Sequence, residues 1–182
     1  MPEHDFLGDI NHDERALFRK RIVSMILATD MGAHQQHLDA FNNKIINLGI
    51  SGEKQNGDMF VKDEDEVKKY NSKQQLMDMI IHSCDFALSA RLFDTVKKGT
   101  YALFEEFFNQ GDMEREKNLP ISFLCDRNTT FVAKSQPGFL GFVVMPLYRS
   151  MMEVIPAAKP ALDQMMKNSE TWKNYTETEH DK

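Results

Sequence analysis

An all-α fold is predicted, on three observations. Glycine and proline together make 15 of 182 residues (9 plus 6), about 8% against an average near 12%. That is too few for the closely spaced turns of a β-sandwich or barrel. Apolar residues recur at spacings of three and four along most of the chain, the period of one helix face. No alternating apolar–polar run exceeds a few residues, so no long strand is expected. The expected architecture is a compact multi-helix domain, large enough to bury a core without metal or disulfide staples.

The elements follow in order. From Asp13, a candidate N-cap, the residues Leu17, Phe18, Ile22, Met25 and Ile26 fall on one helical face. A second helix is predicted over 34–48, with Leu38, Phe41, Ile45 and Ile46 inward and Gly32 marking the bend before it. Residues 49–72 contain Gly49, Gly52, Gly57 and the run Lys62-Asp63-Glu64-Asp65-Glu66, and read as a solvated loop. Leu76, Met77, Met79, Ile80 and Ile81 then build a buried helix ending at His82-Ser83-Cys84-Asp85. The next helix, over about 90–110, carries Leu92, Phe93, Val96, Leu103, Phe104, Phe107 and Phe108, with Gly111 as its C-cap. A charged connector, 112–118, closes at Pro120. A helical region over about 126–155 is divided by Pro137 and Pro146, each of which lacks the N–H a helix needs. A weaker last helix carries Leu162, Met165 and Met166, and the polar tail from Ser169 is expected to fray.

Charge and composition exclude several functions. With 28 acidic and 22 basic residues the net charge is −6, and no basic face offers a nucleic acid its phosphate contacts. The apolar stretch 139–145 is far short of the ~20 residues of a membrane span. The start, Met1-Pro2-Glu3-His4-Asp5, is polar and acidic, unlike a signal peptide. Two cysteines, Cys84 and Cys125, make no secreted disulfide framework. A reducing, cytoplasmic setting is expected.

Three constellations could carry chemistry. His34 and His37 stand three apart on a predicted helix, as a metal pair can; equally, one packs in the core and the other is solvated. His82 and Asp85 also stand three apart, at the end of an apolar helix. Asp85 is therefore expected in a buried or half-buried place, as a metal ligand or as a structural ion pair or cap. In Lys134-Ser135-Gln136-Pro137-Gly138-Phe139, Gln136 and Phe139 share a helical face. An amide that donates and accepts, beside an aromatic ring, can hold a flat heterocycle; alternatively Phe139 is core and Gln136 caps a turn. His12-Asp13 lacks the further histidine and turn of an HD metal motif and is set aside. No Gly-rich phosphate loop, CxxC, HExxH or GxSxG pattern occurs.

Several motifs in order carry a family resemblance: Ile26-Leu27-Ala28-Thr29-Asp30-Met31, His82-Ser83-Cys84-Asp85, and Glu105-Glu106-Phe107-Phe108-Asn109-Gln110-Gly111-Asp112. Ile121-Ser122 with Cys125-Asp126, and Lys134-Ser135-Gln136-Pro137-Gly138-Phe139, complete them. Over residues 12–175 the chain resembles the C-terminal half of the catalytic domain of class I 3′,5′-cyclic nucleotide phosphodiesterases. Residues 1–11 and 176–182 are expected to be flexible ends. The resemblance implies hydrolysis of cAMP or cGMP to the 5′-monophosphate, in cyclic nucleotide signalling. It also implies a helical catalytic domain and two divalent metals, zinc with magnesium or manganese.

Position by position, the resemblance makes Asp85 a ligand of the more tightly held metal. Gln136 becomes the glutamine that hydrogen-bonds the purine edge. Phe139 and Leu103 stack on the two sides of the base, and Phe107, Leu124 and Met31 line the cavity. His34 matches a position near the pocket floor. The family's HNxxH and HDxxHxGxxN patterns, which supply the general-acid histidine and three of four metal ligands, do not occur in these 182 residues. They are expected upstream. Three local departures stand out. Phe86-Ala87-Leu88-Ser89 replaces the usual Leu-Ser-Asn-Pro after the aspartate, which removes a polar contact near the base. Gly99 replaces an aromatic residue, and Tyr148 a tryptophan.

Two functional readings result. In the first, the chain supplies the purine pocket and one metal ligand of a phosphodiesterase, partnered by the missing N-terminal half or by a homologous phosphodiesterase chain. In the second, it is a non-catalytic helical module that binds a nucleotide or a partner protein.

Overall fold

A computed structural model describes residues 7–48 and 66–177. All regular structure among these residues is helical, as the periodicity predicts. The helices are α1 His12–Leu27, α2 His34–Leu48, α3 Glu66–Asp85, α4 Phe93–Glu116, α5 Val132–Phe139, α6 Met145–Val154 and α7 Lys159–Asn174. No described helix is long and apolar enough to cross a membrane. The chain divides into two compact units, Met1–Asp85 and Phe86–Lys182.

In the first unit α1 and α2 each pack on α3. Asn11, not Asp13, is the N-cap of α1: its side chain accepts from the Glu14 N–H at 2.9 Å. Asp13 sits inside the first turn, where its charge favours the positive end of the helix dipole. Polar bonds pin α1 to α3. Ser24 Oγ donates to Asp78 at 2.9 Å, and Gln74 Nε2 donates to Asp78 at 2.7 Å and to the Arg21 carbonyl at 3.2 Å. The expected inward face of α1 is not buried. None of its residues is: Ile22 and Met25 are half-buried against α3, and Ile26 is 62% exposed. Periodicity finds an apolar face; it cannot say how fully a neighbour covers it.

The bend at Gly32 is a short helical turn, Met31–Ala33, in which Asp30 accepts from the Gly32 N–H at 2.9 Å. α2 has the predicted bounds, with Leu38 and Phe41 buried. The expected loop over 49–72, with its acidic run, lies outside the described residues as far as residue 65. From Glu66 onward the chain is already helical.

In the second unit α5 and α6 pack on α7, with the core formed by Leu140, Val144, Leu147, Met151, Leu162, Met165 and Trp172. Asn168 is a satisfied buried polar group. Its Nδ2 donates to the carbonyls of Ser89 and Arg91, at 2.9 and 2.8 Å, and its Oδ1 accepts from Gln164 at 2.9 Å. These bonds hold the short turn Ala87–Ala90 against α7. Gly99 of α4 faces the same turn; a Cβ there would stand 2.5 Å from a Leu88 methyl. Gly99 and Leu88 are thus neighbours.

Four expectations are corrected here. Gly111 is not a C-cap: α4 runs to Glu116, and Gly111 is buried within it. Residues 126–131 are not helical; α5 starts only at Val132. Pro137 lies inside α5, and the irregularity follows it as a π-helical turn, Leu140–Val144, with Pro146 opening α6. Proline removes one hydrogen bond, and a wider turn absorbs the misfit. The tail does not fray at Ser169. Asn168, Ser169 and Trp172 are buried, and α7 continues to Asn174.

Candidate functional site

In the first unit α2 and the end of α3 meet through two histidines. His34 Nδ1 and His82 Nε2 lie 2.7 Å apart, both rings buried. A hydrogen bond of this kind needs one ring to donate and the other to accept, so neutral imidazoles suit it. Burial first, then the charges of His34 and His37, hold the His82 pKa below its ordinary value, against an opposing pull from Asp85. His34 is therefore a core histidine bound to another ring, and the His34/His37 spacing does not make a metal pair.

The sign of the pH effect follows. A histidine whose pKa is lowered on folding takes up its proton more readily when unfolded. Its contribution to stability is full above the unfolded value, near 6.5, and is lost as pH falls through the lower folded value. The urea midpoint of the chain is expected to drop between about pH 7.5 and 5, and a His82→Asn variant to show a flatter profile. An equal slope in both proteins would remove His82 as the cause.

Asp85 ends α3 and is exposed. The expectation of a buried carboxylate is corrected: the apolar face of α3 points elsewhere, and the last turn presents Asp85 to solvent, where it needs no resident partner. Met31 is also exposed, in the turn before α2.

In the second unit α5 carries the amide and the ring. Gln136 is 7% exposed, and its Nε2 donates to Ser135 Oγ at 3.0 Å. Ser135 Oγ in turn donates to the Val132 carbonyl at 2.6 Å. That chain of bonds restrains the amide. Phe139 is 37% exposed, with its inner edge against Phe86 at a ring distance of 6.0 Å and 57°. Gln136 and Phe139 thus stand one turn apart on α5, one buried and the other half-open. Leu103 and Phe107 stand one turn apart on α4, Leu103 exposed and Phe107 half-buried.

Leu124 lies in the segment 117–131, which charged bonds fasten to α4. Glu114 accepts from both the N–H and the hydroxyl of Ser122 at 2.7 Å, and from Gln110 at 2.8 Å. These bonds, Gln110 first, hold its carboxyl below the usual range. Arg115 joins Asp112 and Asp126 at 2.9 and 2.8 Å, and Arg127 Nε donates to Asp112 at 2.7 Å. Leu124 takes φ 65°, a left-handed conformation rare for a branched side chain. Cys125 beside it is buried, and burial pushes its thiol up, so it is a packing residue.

Sequence reasoning missed the His34–His82 bond and the Phe86 contact. Phe86 was visible as a departure after Asp85, but only the fold brings its ring to Phe139. Among the described residues no group of three or more His, Cys, Asp or Glu side chains could hold a metal ion.

Residues 1–165 match the family model described as 3′5′-cyclic nucleotide phosphodiesterase. The chain is 32% identical over 178 residues to the probable 3′,5′-cyclic-AMP phosphodiesterase pde-4 of Caenorhabditis elegans, covering 97% of this chain and 25% of that protein. It is 29% identical over 163 residues to the dual specificity calcium/calmodulin-dependent 3′,5′-cyclic nucleotide phosphodiesterase 1C of Mus musculus, covering 89% of this chain and 20% of that one. The fold is similar to the structure of LmjPDEB1 in complex with IBMX, with a TM-score of 0.79 and 24% identity over 96% of this chain and 48% of that one. The chain thus spans about a quarter or less of these two curated relatives and about half of the structural relative.

Proposed function

Since the chain belongs to the 3′5′-cyclic nucleotide phosphodiesterase family, we propose that residues 12–175 supply the purine-binding part of a catalytic domain hydrolysing cAMP or cGMP to the 5′-monophosphate. The carrying observation is the pairing on α5 of a buried, restrained amide with a half-open ring. Gln136 would donate to and accept from the purine edge. Phe139 would stack on one face of the base, and Leu103 would cover the other. Phe107, Leu124 and Met31 would shape the cavity. A glutamine amide can present donor and acceptor in either order, which admits adenine or guanine.

These side chains position the substrate; they do not cleave it. Asp85 is the carboxylate this chain would contribute to a divalent-metal centre, zinc with magnesium or manganese. The described residues do not complete such a centre, so no hydrolytic step is assigned to them. The remaining ligands and the general-acid histidine would come from an N-terminal half or a homologous phosphodiesterase chain. The cytoplasm, where cyclic nucleotides act as signals, is the proposed setting.

The test is equilibrium binding of cAMP and cGMP to the full chain. Phe139→Ala is expected to weaken binding by about 1–3 kcal/mol, the worth of base–aromatic stacking. Gln136→Ala is expected to cost about 0.5–1.5 kcal/mol. Affinity unchanged in both variants would overturn the clamp. Binding without turnover, even with the N-terminal half of a phosphodiesterase catalytic domain supplied, would favour the non-catalytic module.

A further inference from the structure

The chain crosses back to the clamp helix after α7. α5 begins without a side-chain cap at Phe131 and with no acid in its first turn. Its Ala133 N–H is buried away from water, where an unmet donor would be costly. Glu177, thirty-eight residues after Phe139 in sequence by their numbering, meets that donor: its Oε1 accepts from the Ala133 N–H. The carboxylate also places negative charge at the positive end of the α5 dipole. Glu177 therefore does from a distance what an N-cap aspartate does locally.

The segment that delivers Glu177 is itself anchored. Tyr175 packs against Trp172 and Phe93 at ring distances of 5.6 and 5.9 Å. The Lys97 ammonium donates to the Tyr175 hydroxyl and lies 4.7 Å from the centre of its ring. Lys97 belongs to α4, the helix of Leu103 and Phe107, and α5 carries Gln136 and Phe139. The strap 175–177 thus fastens the ends of the two helices that bear the proposed base contacts.

We propose that Glu177 is a positioning residue for the base clamp. Its carboxylate fixes the first turn of α5, and Gln136, three residues beyond Ala133, takes its place from that turn. This rests on the clamp reading of Gln136 and Phe139 given above. The recognised ligand remains the purine of a cyclic nucleotide; Glu177 does not touch it.

The experiment uses the full chain with Glu177→Ala and Glu177→Gln, and two readouts from amide NMR: exchange of the Ala133 N–H, and titration with cAMP. Loss of the cap in Glu177→Ala is expected to speed Ala133 exchange roughly five- to tenfold. It should weaken cAMP binding by about threefold or more. Glu177→Gln keeps an acceptor and is expected to recover part of both effects, a rescue that a general loss of folding would not give. Unchanged Ala133 exchange in Glu177→Ala would overturn the cap. Faster exchange with unchanged cAMP affinity would overturn the positioning role while leaving the clamp intact. A wild-type chain that bound no cAMP would remove the clamp reading, and the positioning role with it.

Discussion

Trp172→Ala is expected to destabilise the second unit by about 3–5 kcal/mol, the usual cost of truncating a large buried aromatic. Trp172 is the single tryptophan of the chain and is 1% exposed. Its ring meets Phe93 edge-on at 4.8 Å and Tyr175 at 5.6 Å, with Tyr101 at 6.3 Å. Alanine leaves a cavity on which α4 and the strap both depend. The loss is a large share of the roughly 5–15 kcal/mol that holds a typical domain together. Trp172→Phe should cost much less. It keeps an aromatic ring, and it removes an indole N–H that is buried with no hydrogen-bond partner among the described residues. Urea unfolding followed by far-ultraviolet circular dichroism reads both variants. A loss below about 1 kcal/mol in Trp172→Ala would contradict the packing described.

Gly111→Ala is expected to destabilise against the direction that helix propensity gives. In an exposed helix interior, replacing glycine with alanine gains about 1 kcal/mol. Here the new Cβ would stand 1.9 Å from the Cys125 carbonyl oxygen and 2.6 Å from its carbon. Both are backbone atoms, so no side-chain rotation relieves the clash. The segment 117–131 must move off α4, at an overpacking cost of about 1–3 kcal/mol or more. Leu124 would move with it and the Glu114–Ser122 bonds would open, so faster exchange of the Ser122 N–H should accompany the lower midpoint. A rise in stability would show that the close approach does not exist.

The same glycine shows what the sequence could and could not reveal. Gly111 after an apolar run looks like a helix end; only the approach of a segment fourteen residues on makes it an interior residue. α2 was legible to its ends because Leu38 and Phe41 really face a neighbour, α3. The apolar face of α1 was equally legible as a pattern, yet Leu17, Phe18 and Ile26 are exposed and Ile22 and Met25 only half-buried, since spacing carries no information about how fully a face is covered. The polar tail looked frayed because Asn168, Ser169, Glu170 and Thr171 are all polar, although Asn168, Ser169 and Trp172 are buried. Helical spacing did place Gln136 and Phe139 on one face, and the local motif was enough for that. The burial of one and exposure of the other, the Phe86 ring and the Glu177 cap all depend on long-range packing.

In the function proposed above, α5 presents a purine clamp. The most direct measurement follows the Gln136 side-chain amide of the isotope-labelled full chain while cAMP is added. A saturable shift of that amide and of the backbone amides through Phe139 is expected, with both lost in Phe139→Ala. A Gln136 amide that stays still while cAMP is raised to its solubility limit, or shifts confined to other helices, would contradict it.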